Sequence, residues 1–164
     1  FSDGVYEVCS VRGGQLMDED YHLERLERSL RELRIAMPMA MRALRLVLRE
    51  VVRSNGISDG MVYLQVTRGV AKRDHPFPNP AVRAALVITA KGLNLAKIAQ
   101  AVAQGVAVVT MPDQRWARRD IKSISLLANI LAKQSAREAG AYEAWLVDQD
   151  GFVTEGSSTN AWIV

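Results

Sequence analysis

The 164-residue sequence has one cysteine and two histidines. A lone thiol forms no internal disulfide, which fits a reducing compartment such as the cytoplasm. Cys9, His22 and His75 are too far apart in sequence to read as a metal site, so no metal is expected. No apolar stretch reaches the roughly 18–20 residues that a membrane-spanning helix needs, and no signal-peptide pattern is visible, so no membrane partner is expected. Large single-sign charge is missing too: 21 Lys and Arg face 18 Asp and Glu, for a net charge of +3. In HLERLERSLREL the basic residues alternate with acids, the pattern of a solvated helix face rather than a nucleic-acid track, and no nucleic-acid partner is expected. Only RWARR (115–119) gathers cations around an aromatic. There is no internal repeat and no low-complexity tract.

What remains is an ordinary globular composition, 49% hydrophobic and 24% charged, long enough for one core or two small domains. VYEVCSV (5–11) alternates apolar and polar residues and predicts a strand, broken by Gly13-Gly14, with Cys9 as a buried thiol. Asp18 or Asp20 is placed to cap a helix in which Leu23, Leu26, Leu30 and Leu33 recur at three- and four-residue steps. Pro38 separates this from a second amphipathic helix over 40–53, ended by Asn55-Gly56. Strands are predicted over 61–69, 84–90 and 106–111, with a proline-rich loop over 71–80. After Pro112-Asp113 come a helix over about 126–140, a strand at 143–147, a turn at DQDG and a second strand through FVTEGSSTNAWIV. Helices and strands fall in runs, which predicts an α+β fold with a mainly antiparallel sheet. The expected domain division is 1–112 and 113–164.

Taken singly, the polar candidates have ordinary structural readings. Lys122 precedes an apolar helix, where a lysine is normally in water; buried, it would be an amine of lowered pKa able to attack a carbonyl. Ser157, Ser158 and Thr159 follow a strand and a glycine, and their hydroxyls either close a turn or hold a phosphate. Glu155 sits where the hairpin aims it at a ligand, and a carboxylate there can keep a ring nitrogen protonated. Arg68, Arg73 and His75 lie on a strand end and the following loop, and a forked guanidinium beside an imidazole suits a carboxylate. Arg25 alone reads as a surface ion-pair residue.

Their order changes the reading. FSDGVYE, HLERL, YLQVTRG, RDHPFP, DIKS and VTEGSS follow one another along the whole chain. This set resembles the fold-type IV pyridoxal-phosphate enzymes, and within them the D-amino-acid aminotransferase branch, whose specific mark is the Arg-x-His loop. The resemblance implies a two-domain fold: a small N-terminal α+β domain, then the start of a larger, β-rich cofactor-binding domain. It implies pyridoxal 5′-phosphate as cofactor, carried on Lys122, with Lys122 also the base that moves the substrate proton. Glu155 would face the pyridine nitrogen, Arg25 would hold the phosphate, and Ser157, Ser158 and Thr159 would lie near ring and phosphate. Tyr6, Arg73 and His75 would trap the substrate α-carboxylate.

The implied reaction exchanges an amino group between a D-amino acid such as D-alanine and a 2-oxo acid such as 2-oxoglutarate. The resemblance also implies a homodimer, because loops of the small domain complete the partner's pocket in these enzymes. Arg118-Arg119-Asp120 stands where relatives often have Arg-Cys-Asp, so a more cationic setting is expected beside Lys122. The chain starts on Phe1 and stops within an expected strand, and a segment of a longer protein is expected, short of further phosphate contacts. The alternatives are a branched-chain L-amino-acid aminotransferase or an aminodeoxychorismate lyase on the same scaffold. From another class comes a non-catalytic fragment that acts only in oligomer assembly.

Overall fold

A computed structural model describes residues 2–163. Phe1, which opens the FSDGVYE block, and Val164, which closes the expected NAWIV strand, lie outside the described residues. The mixed α/β chain runs β1 (Gly4–Arg12), β2 (Gln15–Leu16), α1 (Glu19–Glu32), α2 (Met41–Ser54), β3 (Gly60–Thr67), β4 (Ala85–Gly92), α3 (Leu95–Gln104), β5 (Val108–Pro112), α4 (Leu127–Glu138), β6 (Glu143–Val147) and β7 (Val153–Gly156).

Two compact units form. The first holds the chain up to Leu93 together with Asp120–Ser125; the second holds Asn94–Arg119 and the chain from Leu126 on. The expected boundary at 112 therefore falls inside the second unit. Strand pairing explains this: β5 lies parallel to β6, whereas the segment after Asp120 returns to β1, where Val5 opposes Ser123.

In the first unit β2-β1-β3-β4 form an antiparallel sheet. Strand alternation sends Val5, Cys9 and Val11 of β1 and Val62, Leu64 and Val66 of β3 to one face. There they pack against Leu23, Leu26 and Leu30 of α1 and Leu44, Leu48 and Val52 of α2. Tyr6, Tyr63 and Gln65 have the opposite parity and stand on the other face. Cys9 is fully buried, as expected, and burial followed by the nearby Glu7 and Glu19 carboxylates pushes its thiol up to about 12. A thiol held neutral in this way is no nucleophile.

Asp18 occupies the N-cap of α1 but has φ 52° and makes no side-chain capping bond; Glu19 and Asp20 instead favour the first turn through the helix dipole. The second helix ends where expected, with Gly56 at φ 60°. Two elements escaped the sequence reading, the two-residue β2 and α3, whose Asn94 side chain accepts from Lys97 N at 3.0 Å.

In the second unit β5, β6 and β7 form a three-stranded mixed sheet, with β6 and β7 antiparallel. α4 covers it through Ala132 and Ala136 against Ala144 and Leu146. The DQDG turn forms as predicted, with Asp148 Oδ1 accepting from Phe152 N at 2.9 Å. The strand does not continue through NAWI. β7 stops at Gly156, whose N–H turns to the Thr159 carbonyl at 2.8 Å. Among the described residues no helix is long and apolar enough to cross a membrane.

Candidate active site

Lys122 is placed by backbone pairing. Tyr6 N donates to the Lys122 carbonyl at 3.0 Å and Ile124 N to the Gly4 carbonyl at 3.1 Å, so residues 121–124 act as a short extra strand beside β1. Ile121 and Ser123 turn inward, and Lys122 shares the other face with Tyr6, its Nζ 4.4 Å from the ring centroid. The Tyr6 ring stacks on Tyr63 at 5.6 Å, and the Tyr63 hydroxyl donates to Gln65 Oε1 at 2.7 Å. Burial lowers the Lys122 pKa, and the Arg25 charge lowers it further, with Glu7 opposing. The cation acting on the amine is thus Arg25. Arg119, expected to supply part of that effect, is bonded to Asp113 at 2.7 Å.

Arg25 reaches its place through a group that sequence reasoning missed. Glu7 is fully buried in β1 and accepts from Arg25 Nε at 2.6 Å and Nη2 at 2.7 Å, a bidentate pair. His22 Nδ1 lies 2.9 Å from the same carboxylate. Burial would raise the Glu7 carboxyl, but the bonds from Arg25 and His22 outweigh it and hold the group below its ordinary value. The available signal was parity: Glu7 occupies an inward position between Val5 and Cys9, where a charge requires a partner.

The loop bearing Arg73 and His75 is exposed. It lines an open cavity of about 720 Å³ together with Asp3, Arg68 and Phe77. Arg68 has a structural role: it binds Asp3 bidentately, donates to the Leu33 and Arg34 carbonyls at 2.8 and 2.9 Å, and lies 3.8 Å from the Phe77 ring centroid. Lys122, Tyr6 and Arg25 are therefore brought together in the first unit, while Arg73 and His75 stand on a solvent-facing loop.

Glu155 is carried by β7 in the second unit. It pairs with Arg115, whose guanidinium also forks onto the nearly inaccessible Asp113 at 2.8 and 2.9 Å. Thr154 adds a hydroxyl to Asp113 at 2.8 Å, and these partners hold the Asp113 carboxyl well below the usual range. The cationic RWARR cluster thus gathers around a buried carboxylate. Ser157, Ser158 and Thr159 are organised around Glu143 of β6. Ser158 Oγ and Thr159 Oγ1 donate to it at 2.7 and 3.0 Å, and Ser157 Oγ makes a further short bond. Lys133 Nζ lies 3.2 Å away. Against the cost of burial these bonds lower Glu143 to about 2. The three hydroxyls therefore face a carboxylate, which does not fit direct donation to a phosphate.

Known proteins resemble this chain over almost all of its length. The profile of the family described as amino-transferase class IV matches residues 4–164. A D-alanine aminotransferase of Bacillus licheniformis is 41% identical over 163 residues, covering 99% of this chain and 56% of that protein. One of Staphylococcus aureus (strain MSSA476) is 40% identical over 164 residues, covering 100% and 57%. Among solved structures, a branched-chain amino acid aminotransferase from T.th., crystallised with pyridoxamine 5′-phosphate, superposes with a TM-score of 0.80 at 26% identity, over 96% of this chain and 54% of that one. A PLP-bound aminotransferase from Mycobacterium tuberculosis gives 0.76 at 21% identity over 95% and 56%, a likeness of fold alone. The chain spans a little over half the length of the relatives it matches. With a family profile that accounts for nearly every residue and relatives identical at about two positions in five, the chain belongs to the class IV aminotransferases.

Proposed function

We propose that this chain carries the amine-bearing part of a pyridoxal 5′-phosphate-dependent aminotransferase that moves an amino group between a D-amino acid, such as D-alanine, and a 2-oxo acid, such as 2-oxoglutarate. The observation that carries the reading is the Lys122 amine, half-buried over Tyr6 and pushed toward its neutral, nucleophilic form by burial and by Arg25. The D-alanine aminotransferase relatives support the substrate class.

The donor set fits the cofactor in the first unit. Lys122 Nζ is the amine for its aldehyde, and Arg25, pinned by Glu7 yet 43% exposed at its side chain, is an oriented cation for its phosphate. When bound, the cofactor supplies an aldehyde that condenses with amines and a protonated ring that accepts the electron pair released at the substrate Cα. Lys122 Nζ takes and returns the Cα proton, and its lowered pKa favours the neutral amine that accepts it. Glu155 holds the proton on the ring nitrogen, steadied by Arg115. Ser157, Ser158 and Thr159 fit a supporting role, fixing through Glu143 the turn that follows Glu155. Tyr6 orients the substrate α-carboxylate, and Arg73 and His75, exposed on their own unit, act on the pocket of a second copy in a homodimer. A cytoplasmic site of action fits the single buried thiol.

The test is borohydride reduction of the protein loaded with pyridoxal phosphate, followed by peptide mapping. A label on Lys122, lost in Lys122→Ala, is expected, as is faster amino transfer from D-alanine than from L-leucine. No label at Lys122 removes the catalytic reading and favours a fragment that acts only in assembly. Preference for L-leucine favours the branched-chain alternative.

A further inference from the structure

The face of the first sheet that carries Lys122 has a built feature which the roles above leave unused. Lys122 opposes Tyr6, Tyr6 opposes Gln65, and Gln65 opposes Val87, so four side chains stand in one row across adjacent strands. Neighbouring strands are about 4.8 Å apart, which puts Gln65 roughly 10 Å along the sheet from Lys122. Contacts join the row: the Lys122 amine lies over Tyr6, Tyr6 stacks on Tyr63, and the Tyr63 hydroxyl donates to Gln65 Oε1 at 2.7 Å. That last bond orients the carboxamide, because with Oε1 occupied the Nε2 hydrogens point away from Tyr63. Gln65 is half-buried, and beyond it Val87 is apolar.

We propose that Gln65 is a specificity-determining residue whose Tyr63-oriented carboxamide donates an N–H to the distal carboxylate of a dicarboxylic substrate. The inference rests on the proposed reading in which substrate reacts at Lys122 Nζ. An α-carboxylate lies only two bonds from the reacting nitrogen and stays within one strand spacing, beside Tyr6. The distal carboxylate of a five-carbon diacid lies four bonds from that nitrogen, two further than the α-carboxylate, and extends toward the second spacing, where Gln65 stands. A three-carbon substrate such as D-alanine or pyruvate does not reach it. A neutral amide suits this position: it favours a carboxylate without the unpaired charge that an arginine would leave when an uncharged side chain occupies the site.

The experiment compares 2-oxoglutarate with pyruvate as amino acceptor in the loaded wild-type protein, Gln65→Leu, Gln65→Glu and Tyr63→Phe. Gln65→Leu is expected to raise KM for 2-oxoglutarate about ten-fold, the weight of one hydrogen bond to a charged group. KM for pyruvate and both kcat values should stay within about two-fold. Gln65→Glu should raise the 2-oxoglutarate KM further by like-charge repulsion, and Tyr63→Phe should raise it less than Gln65→Leu. Should Gln65→Leu fail to fold, the other two variants carry the comparison. A second readout needs no turnover: in calorimetry the unreactive diacid glutarate should weaken in Gln65→Leu while the monoacid butyrate does not. Equal shifts for both acceptors, or none, overturn the inference. Borohydride labelling of Lys122 in the same samples separates the two proposals. Label present with unchanged KM ratios refutes Gln65 alone; label absent refutes the Lys122 reading, and glutarate binding then decides Gln65 by itself.

Discussion

Replacing Glu7 with Gln tests how the first unit holds Arg25. The native carboxylate is fully buried and accepts at 2.6, 2.7 and 2.9 Å from Arg25 Nε, Arg25 Nη2 and His22 Nδ1. A glutamine keeps one carbonyl oxygen and turns an NH2 group toward two groups that are themselves donors. Hydrogen bonds to charged partners contribute about 1.5–3 kcal/mol each, and bonds sharing one acceptor group are less than additive. The Arg25 side chain is 43% exposed, which screens its share. The expected destabilisation is about 2–4 kcal/mol. Trp116, Trp145 and Trp162 all lie in the second unit, so tryptophan fluorescence reports on that unit and serves as the control. The measurement is hydrogen exchange of peptides from β1 and β3, read as the free energy of opening.

The pH dependence has a definite sign. Glu7 has a folded pKa below its ordinary value of 4.5, so its contribution is present in full above 4.5 and is lost as pH falls through the folded value. The gap between wild type and Glu7→Gln should therefore narrow below about pH 4.5. A variant within about 0.5 kcal/mol of wild type at pH 7, or a gap that does not change on acidification, refutes the argument.

Three other perturbations have clear outcomes. Arg25→Met removes the cation that depresses Lys122 and leaves Glu7, which raises it, so the amine should titrate at higher pH; NMR of reductively ¹³C-methylated protein reads this directly. Glu143→Gln leaves the hydroxyls of Ser157, Ser158 and Thr159 competing for one oxygen, which should cost about 1–3 kcal/mol and speed proteolysis within residues 156–160. Gly4→Ala sets a Cβ 2.6 Å from the Val66 carbonyl oxygen and 3.1 Å from Ile124 Cδ1. It should open the β1–β3 edge and release the Lys122 segment, seen as faster exchange at the Tyr6 and Ile124 amides.

Much of the fold was legible because its strands and helices keep one face apolar. β1, β3, α1 and α2 follow their period-2 and 3.6-residue patterns, and the structure differs mainly at the ends. α3 was not, since its apolar stripe is short: Leu95, Ile98 and Val102 recur at helical steps amid Ala and Gln, and none of its ten residues is buried. The domain boundary was out of reach for a different reason. Residues 113–119 and 120–125 adjoin in sequence yet belong to different units, and only the long-range pairing of Val5 with Ser123 reveals this.

The site follows the same logic. Lys122, Tyr6 and Arg25 are named by ordered sequence blocks, whereas the buried carboxylates that hold Arg25 and the Ser157–Thr159 turn leave fainter traces. Glu7 and Glu143 are carboxylates on inward strand positions, and a charge at such a position is tolerable only with donors converging on it. In both cases the donors come from distant elements: α1 for Glu7, the turn after β7 and Lys133 of α4 for Glu143. A polar residue breaking an apolar face thus marks where remote side chains must meet, though the sequence does not say which ones. For Ser157, Ser158 and Thr159 the consequence is direct. Composition left them closing a turn or holding a phosphate, and the family resemblance set them near ring and phosphate, but an acceptor 14 to 16 residues earlier holds all three hydroxyls. A carboxylate that already accepts three hydroxyls repels a phosphate at the same place, and in the proposed reading the turn instead fixes the backbone that follows Glu155.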